Sequence, residues 1–189
     1  MVGAALAAAL AVLTPAPESP ATLMQSLNQA LLAGDSATLT LETWCARRKL
    51  ADPARVVAVR DPGVVQPPPP EVRDRLQVSP GEPVAYRRVR LACGGHVLSE
   101  ADNWYVPARL SPAMIQMLDA TDTAFGRVIL PLGPHRINLG VEWLWSGADA
   151  RPAPRDGLFR HRALVEDSTG RPLAYVRETY LGAAVAPTP

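Results

Sequence analysis

Lysine is almost missing from this 189-residue chain: Lys49 stands alone, and arginine supplies the rest of the 19 basic residues. Eighteen acidic residues bring the formal charge to +1, so the basic excess that marks a nucleic-acid or polyanion binder is absent. Sulfur is scarce too. Cys45 and Cys93 are the only cysteines, which excludes a disulfide framework and any CxxC metal knuckle. They read as buried small hydrophobes or, in an exported protein, as one bridge. The three histidines, His96, His135 and His161, fall at no ligand spacing, so no metal is expected. There is no P-loop, no GxGxxG and no GxSxG, which removes the usual bases for phosphate transfer, dinucleotide chemistry and α/β-hydrolase chemistry. No run of about 20 apolar residues is present to span a bilayer.

What is there suffices for one folded domain. Hydrophobic residues make up 48% of the chain, enough for a core, and 20 prolines mark many element boundaries. Val2 to Leu13 is uninterrupted small apolar sequence broken by Thr14-Pro15-Ala16-Pro17. Its length suits the hydrophobic stretch of a signal peptide, with Ala16 or Ala21 as cleavage positions, although the first basic residue is Arg47. The alternative is a loosely docked Ala-rich terminus. The expected division is a leader and linker over 1–21 and a domain over 22–189, periplasmic or secreted if the leader is a signal and cytoplasmic otherwise.

Leu23, Leu27 and Leu31 sit at helical spacing, Gly34 ends that helix, and Asp35-Ser36 begins a new element. Thr38 to Arg48 is ambiguous between helix and strand. A short strand is expected over Arg55 to Arg60 and a short helix over Glu71 to Leu76, after the Pro67 to Pro70 connector. Val84 to Cys93 and His96 to Val106 make a β-hairpin across Gly94-Gly95. Ser111-Pro112 caps another helix. Strands are expected at Arg127 to Leu132 and Ile137 to Trp145, a flexible loop at Ser146 to Gly157, and a final hairpin from Leu158 to Leu181. Hairpin-linked strands with few helices predict the α+β class: one antiparallel sheet of about six strands with helices packed on one side.

Two side chains stand out from their strands. With Gly94-Gly95 as the turn, Arg87 is expected opposite Asp102 and Arg88 opposite Ala101. Arg88 then has only neutral or basic neighbours on its face, so it either reaches solvent or awaits an anion. Glu100 and Asp102 share a strand face and read as cross-strand ion-pair partners. In the last strand, alternation puts Ala174, Val176, Glu178 and Tyr180 together, which leaves Glu178 a lone carboxylate on an apolar stripe. Such a group either does acid–base work or pairs with a basic residue next door, His161 or Arg162. Thr123-Ala-Phe-Gly-Arg127 is a turn whose glycine lets backbone N–H groups approach a ligand.

Five pieces, in this order and spacing, resemble bacterial chorismate lyase and the ligand-sensing UTRA domain of GntR-type regulators, which shares its fold. They are Leu31-Leu-Ala-Gly-Asp-Ser-Ala-Thr38, Tyr86-Arg-Arg-Val-Arg-Leu91, Asn103-Trp-Tyr-Val-Pro107, Ala124-Phe-Gly-Arg127 and Gly170 to Leu181. The resemblance implies cofactor-free elimination of pyruvate from chorismate, giving 4-hydroxybenzoate, a ubiquinone precursor. It implies Arg88 and Glu178 as catalytic residues, with Arg88 on the ring carboxylate and Glu178 on the ring hydroxyl. Ala37, Phe125 and Gly126 would complete the substrate site through backbone N–H groups. The departures are Asn103, where the lyase has a second arginine, and a longer Ser146 to Gly157 segment. The alternative it implies is a non-catalytic exported binding protein for a small aromatic carboxylate, on the same fold. No nucleic-acid partner is expected, because the stretch before Leu31 is too short for a regulator's winged helix, and a monomer is expected.

Overall fold

The computed structural model describes residues 18–147 and 151–186. Residues 1–17 of the expected leader and linker lie outside the described residues. Six strands, β1 (Val56–Arg60), β2 (Ala85–Cys93), β3 (His96–Tyr105), β4 (His135–Trp143), β5 (Gly157–Glu166) and β6 (Pro172–Leu181), form one antiparallel sheet. Their order is β1-β2-β3-β6-β5-β4, so two hairpins meet through the β3–β6 pair and the shorter strand β1 and β4 form the edges.

Serines start the main helices. Ser19 caps α1 (Pro20–Ala33) by accepting from Thr22 N–H at 3.1 Å, so the helix begins inside the stretch expected to be linker. Ser36 caps α2 (Ala37–Arg47), which resolves the ambiguous segment as helix. Ser111 caps α4 (Pro112–Ala120) as expected. These helices cover one sheet face, where Leu27, Leu31 and Leu41 bury against Val89, Ala101 and Tyr180. Burying such side chains contributes about 1.5–3 kcal/mol each. The short α3 (Pro70–Arg75) packs on the opposite face instead, with Val72 and Leu76 against Trp104 and Tyr175.

The strand expected at Arg127 to Leu132 is absent. In its place are α5 (Phe125–Val128) and a 3-10 turn over Leu130–Leu132. Val128 and Ile129 are consecutive and both buried, which a strand with one covered face does not allow, and Pro131 cannot donate to a ladder. The loop expected to be flexible is partly pinned. Residues 148–150 lie outside the description, but Gly182 N–H donates to Asp156 O at 2.8 Å and Ala183 N–H to Pro154 O at 3.0 Å.

Cys45 and Cys93 are bonded to each other, with Cα atoms 6.5 Å apart, fastening the end of α2 to the end of β2. The pair therefore cross-links two elements rather than serving as separate hydrophobes. Among the described residues, no helix is long and apolar enough to cross a membrane.

Candidate functional site

The hairpin register differs from the expected one by a single residue. Cys93 faces His96 as expected, but a bulge at Leu98 shifts the ladder, so Leu91 faces Ser99, Arg88 faces Asp102 and Arg87 faces Asn103. Leu98 is wholly buried, and holding that position inward costs one unpaired residue. A one-residue shift exchanges sheet faces. Arg88 therefore lies on the face away from α1 and α2, bound to Asp102 and Glu100 at 3.2 Å each. The lone-arginine expectation fails for this reason, and Arg87 takes the helix-covered face.

On that covered face, register aligns Val89, Ala101, Glu178 and His161 across four strands. A cavity of about 60 Å³ opens beside them. Its roof is the start of α2, at Ala37 and Thr38, and its side is Phe125 and Gly126 of α5. The structure thus brings Ala37, Phe125, Gly126 and Glu178 together and leaves Arg88 out. Gly126 fits tightly here: a Cβ would stand 2.9 Å from both Ser36 Oγ and Thr38 Oγ1. Val89, Ile129, Val165 and Val176 make most of the remaining wall apolar.

Glu178 is 4% exposed and has a cationic partner, but not the expected one. Arg136 of β4 donates Nη1 to its Oε2 at 3.0 Å, and the Tyr180 hydroxyl donates to the same oxygen at 3.1 Å. Burial works against the Arg136 charge, yet the charge and hydrogen bond of Glu178, together with Tyr180, leave the guanidinium pKa raised. Arg136 Nη2 is buried with no hydrogen-bond partner among the described residues. Arg162 instead points to the other face, towards Glu71. His161 does stand opposite Glu178, but its Nε2 meets Asn28 Oδ1 at 2.7 Å. Burial, helped by the Arg136 charge, pushes the imidazole down to about 4, so it is neutral near pH 7.

Asn103 also lines the cavity, 3% exposed, with Oδ1 unpartnered. Arg87 lies beside it, buried, with two weak contacts of 3.4 Å to Thr123 O, and burial lowers its pKa. Arg136 was missed because the fourth strand was expected to begin at Ile137. Alternation alone would have put Arg136 on the opposite face from Val141 and Trp143; the bulge between Asn138 and Gly140 reverses that phase and brings Arg136 onto the covered face. Among the described residues, no group of three or more His, Cys, Asp or Glu could hold a metal.

This sheet order and covered cavity define a domain of the chorismate lyase-like fold, the fold of the UTRA effector domains of GntR-family regulators. PhnF of Mycobacterium smegmatis shares it at a TM-score of 0.55 and 16% identity, over 83% of this chain and 68% of PhnF. The effector domain of PhnF alone gives 0.50 over 72% of this chain and 88% of that domain, again at 16% identity. The chain covers 58% of the possible transcriptional regulator YydK of Bacillus subtilis, using 66% of its own length, at 17% identity and a TM-score of 0.44. The chain belongs to the family of the uncharacterized protein y4mC of Sinorhizobium fredii. The two are 42% identical over 173 residues, 84% of this chain and 73% of y4mC. No protein-family model matches the sequence.

Proposed function

We propose that this protein binds a small aromatic carboxylate in the cavity beneath α2. The observation that carries the reading is an excess of donors in an apolar cavity. Arg136 and Glu178 neutralise each other, which leaves Arg136 Nη2 unpartnered. Ala37 and Thr38 lie in the first turn of α2, where N–H groups have no intrahelical acceptor and the helix dipole favours an anion. A carboxylate satisfies such donors, the apolar wall receives a ring, and Glu178 accepts from a ring hydroxyl.

A second reading is chorismate lyase activity, supported by the sequence resemblance and by a buried carboxylate in the cavity. In that reaction a ring proton leaves for Glu178 as the ether C–O bond breaks. The ring becomes aromatic, and the departing enolpyruvate takes up a proton to become pyruvate. Holding the ether in its eliminating conformation would supply much of the rate. Arg88 plays no part in this version, and Arg136 takes the cationic role. Incubation with chorismate separates the readings: equal amounts of 4-hydroxybenzoate and pyruvate mean a lyase, and saturable 4-hydroxybenzoate binding without turnover means a binding module.

The apolar leader and the Cys45–Cys93 bond together support export, since disulfides persist in oxidising compartments. Fractionation of cells making the full chain, with mass measurement of the product, tests this. Cytoplasmic protein with an intact leader and free thiols would overturn it.

A further inference from the structure

The sheet face away from the cavity carries charge that carboxylate binding does not use. Register aligns two rows across β5, β6, β3 and β2: Arg160, Thr179, Glu100, Arg90, and then Arg162, Arg177, Asp102, Arg88. Five of these eight positions are arginine and two are carboxylates. Arg162 and Arg177 stand directly opposite each other, an arrangement of like charges that costs stability. Asp102 is already saturated: Arg177 reaches its Oδ2 at 2.7 Å, while Arg88 and the Tyr86 hydroxyl take Oδ1 at 3.2 and 2.6 Å. Among the described residues Arg162 has Glu71 alone as an ion-pair partner, at 3.9 Å, and both are about half exposed.

A cleft of about 500 Å³ opens over these rows. Arg88, Arg155, Arg160 and Arg177 line it against Glu100 and Asp102, and Arg160 also binds Glu142 at 2.9 Å, so four cations face three anions. Arg155 has no ion-pair partner among the described residues. Its backbone is nonetheless fixed. The turn carrying it is bonded to Gly182 and Ala183, and it sits so close that a Cβ on Gly182 would stand 2.1 Å from Ala153 O. Leu144 and Leu181 line the same cleft and offer apolar surface beside the arginines.

We propose that this cleft is a second ligand site, for a phosphate monoester of a small organic alcohol. Arg155, with no carboxylate to release, is the cation open to an anion here, and arginine forks match phosphoryl oxygens bidentately. Inorganic phosphate leaves most of the volume unfilled, whereas an ester places its organic part against Leu144 and Leu181. The site is separate from the cavity beneath α2, because the sheet lies between them.

Calorimetric titration of the full chain with phenyl phosphate, and separately with inorganic phosphate, tests the proposal. Phenyl phosphate is expected to bind at one site and to weaken at least tenfold in Arg155→Gln, with an unchanged melting temperature because Arg155 holds no partner. Arg155→Lys, which keeps the charge but loses the fork, should weaken binding less. Equal affinity for both probes, lost alike in Arg155→Gln, would keep the dianion site and overturn the ester. No binding, or binding indifferent to Arg155→Gln and Arg160→Gln, would overturn the site. A 4-hydroxybenzoate titration run alongside should not move in either variant.

Discussion

Acidification should weaken this fold through the His161 ring. Its Nε2 is spent on Asn28, its Nδ1 is buried without a partner, and Phe159 and Tyr180 pack around it. Burial disfavours a charge on the ring and the Arg136 charge adds to this, which is why the native pKa falls from 6.5 to about 4. The sign follows from linkage. Above pH 6.5 neither state is protonated and the ring adds no pH dependence. Between 6.5 and 4 the unfolded chain takes up a proton that the native protein refuses, so stability falls as pH falls. At about 1.4 kcal/mol per pH unit, the loss is about 3 kcal/mol across that window. Asp102 acts elsewhere. Burial opposes its charge, but bonds from Tyr86 and Arg177 and the nearby arginines hold its pKa below the usual carboxylate value. Its stabilising share is lost only at lower pH, as the pH falls through that depressed value. Urea unfolding at half-unit steps from pH 7.5 to 4 is the assay. His161→Leu with Asn28→Leu, which removes both polar partners, should flatten the slope between 6.5 and 4. A wild-type midpoint constant over that range, or an equal slope in the double variant, would refute the reasoning.

Two further outcomes can be checked in the same way. Reducing the Cys45–Cys93 bond, or replacing both residues with serine, should lower stability by about 4 kcal/mol, the chain entropy released from a loop of 48 residues; paired unfolding curves with and without reductant measure it. Arg136→Gln strands a buried carboxylate and should cost about 3–5 kcal/mol, whereas Arg136→Met with Glu178→Leu should recover most of it. Equal losses in the single and double variants would show that the pair is not coupled.

Much of the architecture was legible because it rests on short-range signals. Leucine spacing, the Pro67 to Pro70 connector and the Ser111 cap located α1, α3 and α4, the Gly94-Gly95 turn located the hairpin, and alternation of the last strand located the face of Glu178. The errors arose where burial overrode local pattern. Leu98 is drawn inward as an extra residue, and no turn-based count detects such a bulge, so Arg87 and Arg88 exchanged faces. Val128 and Ile129 are both buried in a short helix whose apolar run imitates a strand. Glu178 stood out as an anomalous carboxylate, yet its partner Arg136 comes from an edge strand more than 40 residues earlier in the chain. That pairing depends on sheet order, which hydrophobic alternation does not encode.

The central claim is that a small aromatic carboxylate enters the cavity on the Glu178 and Arg136 face. Calorimetric titration of the wild-type chain with 4-hydroxybenzoate tests it most directly, alongside Glu178→Gln and Arg88→Gln. The account predicts one saturable site, weakened at least tenfold in Glu178→Gln and within about twofold of wild type in Arg88→Gln, whose side chain lies across the sheet. Binding that depends on Arg88 and ignores Glu178 would contradict it.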